Sequence, residues 1–172
     1  SSIREVEALA LRIASGSKSL RFLPDLGAVE LTPETGLAGH GGWADGRHGD
    51  YEGSAVQLND FHFIKDLTRL DRAERLRVLN RLGDEAGDWF RRVLPGALER
   101  FRRVIVLTHV PPFAEAAWHE GQMSSPAFLP FFSSRASGDA LHELAQRIQA
   151  GAAPPGVADP LEKLPPWMGR PG

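Results

Sequence analysis

A chain of 172 residues, 42% apolar and 24% charged, is long enough for one domain with its own core. A formal net charge of −2 leaves no basic footprint for a nucleic-acid backbone. The absence of cysteine excludes disulfides and thiolate-held zinc or iron–sulfur clusters. No run of eighteen apolar residues could span a bilayer and no signal peptide is recognisable, so the cytoplasm is the expected setting. Any metal must be held by His, Asp, Glu, Asn or water.

In chain order, Ser2-Ile3-Arg4-Glu5 reads as a capping box opening a helix. Ile3, Val6, Ala10 and Ile13 recur on one face, and Gly16 is its expected stop. Leu20 to Leu23 reads as a short strand closed by Pro24-Asp25. Ala28–Thr32 and Thr35–Gly39 read as a hairpin turned at Pro33-Glu34. Residues 39–53 form a Gly-rich loop carrying Trp43, Asp45, Arg47, His40, His48 and Asp50, the kind of segment on which function gathers.

From Asn59 to Arg103 the pattern is helical. Asp71 should cap a helix to about Leu82, Gly83-Asp84 should restart it, and Pro95 should kink or break it. Val104-Ile105-Val106-Leu107, a continuous apolar run after a long helix, reads as a strand buried on both faces. Ser137 or Asp139 should cap a last helix, Ala140 to Gln149. Residues 151–172 hold six of the thirteen prolines and read as an irregular tail. The expected organisation is one domain over residues 1–150, followed by that tail.

The feature richest in chemistry is VIVLTHVPPF, a strand ending in His109. In open α/β sheets, ligands gather at the carboxyl ends of strands. Pro111 and Pro112 cannot continue a ladder, so they turn the chain away and fix the direction of the imidazole. A neutral His nitrogen held this way suits a divalent metal.

VIVLTHVPPF, with Trp118-His119-Glu120-Gly121 after it, resembles the metal-ligand His segment of calcineurin-like metallophosphoesterases. GLAGHGGWADGRHGD and LNDFHFIKDL resemble the strand and loop that precede this segment in one bacterial branch. The resemblance covers roughly residues 1 to 145. It implies an α/β fold, part of an αββα sandwich of the metallophosphoesterase type. It also implies hydrolysis of phosphate mono- or diesters by a pair of divalent ions such as Mn, Fe or Zn. Of the family's ligand motifs only the later-strand His maps, onto His109. No Asp-x-His is read ahead of His109, no Gly-Asn-His occurs, and no Gly-His-x-His follows His109. The expectation is therefore a fragment or a remnant that is inactive as an isolated chain.

Asp45 and Arg47 are candidate lining residues, Arg because its fork matches phosphate, although Asp in a Gly-rich loop also serves turns. His119 is close enough in sequence to His109 to reach the same site, and a weak metal-binding module of His109, His119 and Asp45 is a competing reading. His40 and His48 read as hydrogen-bonded loop histidines, and Trp43 and Trp118 as packing residues. Sheet edges left open by a partial sandwich should favour self-association.

Overall fold

The computed structural model describes residues 1–150; the Pro-rich segment 151–172 lies outside the described residues, and so does the expectation of an irregular tail. The first helix, α1 (Ile3–Ser15), begins at the capping box read from the sequence: the Ser2 side chain accepts from the Glu5 amide, and the Glu5 carboxylate accepts from the Ser2 amide. Gly16 is its C-cap. The periodic face is real but points outward, since no residue of α1 is buried and Val6 and Ile13 are more than half exposed. Polar contacts hold the helix instead. The Ile3 amide donates to Asp66 at 2.7 Å, and Lys65 pairs with Glu5.

The strand expected over Leu20 to Leu23 does not form. The chain is irregular there and enters a single helical turn, α2 (Leu23–Leu26), with Pro24 in its first turn. Proline's fixed φ suits a helix start and removes a donor that a ladder would need. The hairpin forms as read: β1 (Ala28–Thr32) pairs antiparallel with β2 (Thr35–His40).

After the Gly-rich loop come the short α3 (Asp60–Phe63) and the 29-residue α4 (Arg72–Arg100), which starts at an Asp71/Glu74 capping box. The expected restart at Gly83 and break at Pro95 do not occur; α4 runs through both. Gly83 is explained by packing rather than by termination, because a Cβ there would collide with the Cβ of Asp45. One turn on, a Cβ at Gly87 would lie 2.8 Å from the Ala136 carbonyl oxygen. The two glycines let the loop and the last helix press against α4.

β3 (Arg103–Thr108) lies parallel to β2, so the sheet order is β1-β2-β3 with β3 on an edge. The expectation of a strand buried on both faces is corrected here. Val104 and Val106 pack towards α4 beside Ala38, Phe90 and Leu94, while Ile105 and Leu107 are about half exposed (48% and 49%). An apolar run signals two covered faces only when something covers the second, and nothing among the described residues does so for Ile105 and Leu107.

A 3-10 turn (Ala114–Ala116) and a two-residue hairpin, β4 (Trp118–His119) with β5 (Gln122–Met123), precede the short α5 (Leu129–Phe132) and α6 (Arg135–Gln149). The start expected near Ala140 is also corrected: α6 begins five residues earlier, with Ser134 as N-cap. One core cluster joins α4, α6 and the sheet; a second gathers Tyr51, Phe61, Leu67, Leu79 and Phe131 under the Gly-rich loop. The chain is thus a mixed α/β structure. Among the described residues no helix is long and apolar enough to cross a membrane.

Candidate functional site

His109 follows β3 at the carboxyl end of the two parallel strands, where β2 and β3 finish in register at His40 and Thr108. Its side chain is exposed and borders a cleft of about 210 Å³. The turn after it is tied down, because the Pro111 carbonyl accepts from the Ser134 amide at 3.0 Å. The Pro112 carbonyl sits against Gly138, where any Cβ would collide with it. The proline corner is therefore anchored on the first turn of α6.

The cleft runs from His109 inward past Trp43 of the Gly-rich loop, Asn59 and Asp60 at the start of α3, and Phe61. Leu79 of α4 and Phe131 of α5 close its inner end; both are buried, as is Phe61. Arg75 lies over the Phe61 ring, its guanidinium carbon 4.1 Å from the centroid, so that ring is held on one face. Phe61 also meets Phe131 edge-on at 5.7 Å between centroids. The lining mixes the polar His109, Asn59 and Asp60 with apolar residues, of which Phe132 is partly exposed and Phe61, Leu79 and Phe131 are buried.

Asp45 and Arg47 are not among the residues bordering this cleft. Asp45 is fully buried. Its Oδ2 accepts from the Ala136 amide at 2.8 Å, in the first turn of α6, where a carboxylate meets both an orphan N–H and the positive end of the helix dipole. Its Oδ1 accepts from the Arg47 amide at 3.1 Å, and its backbone carbonyl accepts from Asn80 Nδ2 at 2.6 Å. The Arg47 guanidinium bridges Asp45 (3.3 Å) and Asp84 of α4 (2.8 Å). The Asp84 hydrogen bond is the largest influence pushing the Arg47 pKa up, reinforced by the charge of Asp45. This pair fastens the loop between α4 and α6.

His119 stands on the exposed β4–β5 hairpin, and it does not border the cleft either. His48 shares a hydrogen bond with Ser133 Oγ at 3.1 Å. His40 leans on Trp89 and Phe90, and its Nδ1 accepts from the Gly42 amide at 3.0 Å. Burial is the main cause of its lowered pKa, so the neutral ring is favoured. Trp43 is a wall of the cleft, whereas Trp118 is largely exposed.

The reading that no Asp-x-His precedes His109 is corrected here: Asp60-Phe61-His62, on α3, is one such triplet. Asp60 shares the cleft with His109, and His62 is exposed. Neither Asp60 nor Phe131 stands out in the sequence as a partner of His109. Their approach depends on how α3 and α5 fold back over α4, which no local pattern encodes. Among the described residues no group of three or more His, Asp or Glu side chains comes together to hold a metal ion. His109 and Asp60 would leave at least two positions of a four-coordinate site to other donors, and a two-ion site still more. The described residues thus do not fit the metal pair that the resemblance implies. Comparison with known proteins finds no family model, no curated protein and no solved structure that matches the chain.

Proposed function

We propose that this chain carries the His109 portion of a metal-dependent phosphoesterase for phosphate mono- or diesters, built on part of an αββα sandwich. The described residues alone do not turn substrate over. One observation supports this above the rest: His109 lies exposed at the carboxyl end of an α/β strand, on the rim of a cleft, behind a proline corner anchored to α6. A His kept only for packing would be drawn into the core; a strand-end His on a cleft rim is where ligands gather. The exposed Ile105 and Leu107 fit a sandwich whose second sheet is absent from the described residues.

No hydrolytic step is assigned to these residues, because the donor set for the ions is incomplete. The competing reading, a weak metal module of His109, His119 and Asp45, has less support, since the Asp45 carboxylate is already engaged by Ala136 and Arg47.

Two measurements test the proposal. The isolated chain, given Mn2+ and p-nitrophenyl phosphate or its bis ester, should release no p-nitrophenol above background. Turnover that His109→Ala abolishes would refute the inactivity of the described residues. The coding DNA, read in frame upstream and downstream, should contain Asp-x-His, Gly-Asp, Gly-Asn-His and Gly-His-x-His segments. Stop codons in place of all of them would leave a non-catalytic remnant and end the phosphoesterase reading.

A further inference from the structure

Helix α1 differs from the other long helices in how it is held. It has no buried residue, and Val6, Leu9 and Ile13 face outward, each about half exposed. Among the described residues, every hydrogen bond and ion pair from residues 1–15 to the remainder of the chain ends on Lys65 or Asp66. The Ile3 amide donates to Asp66 Oδ2 at 2.7 Å, the Lys65 amide donates to the Ser1 carbonyl at 3.2 Å, and Lys65 Nζ pairs with Glu5 at 3.1 Å. All of these lie before or within the first turn. The second half of the helix leans on half-buried Ala10, Leu11 and Ala14, which remove little apolar area from water. After Gly16 the chain is irregular through residues 17–22. It is tied down again at Pro24, whose carbonyl accepts from Trp89 Nε1 at 2.9 Å.

The tethered end covers part of the sheet's carboxyl edge. Ile3, Arg4 and Glu7 close one side of a crevice of about 50 Å³ that is bounded elsewhere by His40, Trp43 and Glu85. His40 is the last residue of β2, in register with Thr108 of β3. The edge of the parallel pair therefore has an open half at His109 and a half closed by α1 at His40, and Trp43 borders both. Ligands gather at such edges. The closure is also opposed from within. Glu7, Asp66 and Glu85 share the crevice, offset by Arg4 and Arg81. Partial burial, and after it the charge of Glu85, pushes the Glu7 pKa up, so the ionised carboxylate is disfavoured where α1 places it.

We propose that α1 is a strap over the His40 half of this edge, latched by Lys65 and Asp66 and hinged at residues 17–22, which opens as a unit while the rest of the fold stays intact. Segments with few buried apolar contacts are the ones that open locally. Opening uncovers His40 and extends the His109 cleft past Trp43 along the strand ends. The strap is independent of the phosphoesterase reading.

The test is amide hydrogen exchange of the full chain near neutral pH, resolved by peptide. Residues 3–15 should open about a hundredfold or more as often as the buried stretch of α4 between Leu79 and Phe90. Asp66→Ala removes a charge-assisted hydrogen bond and should raise α1 opening about tenfold, with α4 unchanged. Glu7→Gln should do the reverse and lower it about threefold, by relieving the repulsion among the carboxylates. The sign is decisive, because a helix under no such strain is weakened when an acid near its N-terminus is neutralised. Glu7 is exposed, so its variant keeps the test alive if Asp66→Ala fails to fold. The slow exchange of the His40 ring C2 hydrogen for deuterium should follow α1, faster in Asp66→Ala and slower in Glu7→Gln, with the exposed His62 as a steady reference. An α1 that exchanges no faster than α4 overturns the strap. A Glu7→Gln chain that opens as readily as the wild type, or more so, overturns the strained closure. His40 exchange that ignores both variants would mean that α1 frays without uncovering the strand end, and overturns its role as a cover.

Discussion

At the scale of single residues, Asp45 carries more of the structure than its place in a glycine-rich loop suggests. Arg47 has two carboxylate partners, and they differ in worth. Asp84 makes the shorter contact but its side chain is 56% exposed, whereas Asp45 has no exposure at all. An exposed pair contributes about 0–1 kcal/mol, and breaking a buried one costs about 3–5 kcal/mol. Asp45→Ala also orphans the Ala136 amide in the first turn of α6. Asp45→Ala is therefore expected to lower unfolding free energy in urea by about 3 kcal/mol, and Asp84→Ala by under about 1 kcal/mol. Equal costs would mean that the buried carboxylate is not the anchor. His40 gives a second residue-scale prediction. Its folded pKa lies below 6.5, chiefly through burial, and Gly42 N–H already occupies Nδ1. The unfolded chain then binds the proton more readily, so stability should fall as pH drops through and below 6.5. His40→Gln should flatten that part of the pH profile measured by chemical denaturation. A slope that survives the substitution would place the sensitivity elsewhere.

At the scale of elements, legibility follows the range of the forces involved. The capping boxes at Ser2/Glu5 and Asp71/Glu74 are contained within four residues, and both helices begin where those residues say. The β1–β2 hairpin is equally local. The start of α6 is set in part locally, since the Ser134 side chain accepts from the Ser137 amide, and in part from afar, since the Ala136 amide is met by Asp45, ninety-one residues earlier. Gly83 misleads for the same reason: it reads as a stop, yet it marks where the loop presses on α4. The end of β3 just before His109 is legible from the apolar run and the prolines after it, while the approach of Asp60 and Phe131 to the same cleft depends on tertiary folding alone. Pro95 is the element-scale case that can be measured. It sits inside α4 without an N–H for the Arg91 carbonyl, between the buried Leu94 and Ala97. Interior proline costs a helix about 3 kcal/mol, partly offset by its stiffening of the unfolded chain. Pro95→Ala should therefore raise stability by about 2 kcal/mol, seen as a rise of roughly 4–8 °C in Tm. A loss of stability instead would show that the ring is packed to a purpose.

At the scale of the whole molecule, the sheet has one satisfied face and one that is not. Val104 and Val106 join the core shared with α4 and α6, but Leu31, Ile105 and Leu107 stand about half exposed on strands β1 and β3. β3 is also an edge, and between Arg103 and Pro111 it carries neither a formal charge from Lys, Arg, Asp or Glu nor a proline. Edges are ordinarily blunted by those very residues, since an open row of amides and carbonyls templates another strand. Two copies could meet edge to edge about a two-fold axis, which extends the sheet and joins the two exposed apolar faces into one surface. The arginines would not collide, because antiparallel pairing sends Arg103 of each copy to opposite ends of the joint strand pair. The isolated chain is accordingly expected to self-associate in sedimentation velocity, with a concentration-dependent shift to larger species. Ile105→Lys places a charge on the exposed face without touching Val104 or Val106, so it should restore the monomer while leaving the far-ultraviolet circular dichroism unchanged. Charge placed on α1 instead, by Val6→Lys, serves as the control: that helix is equally exposed but has no open backbone edge, and the association should persist. A wild-type chain that stays monomeric at all concentrations would show that the edge is protected by something other than the described residues.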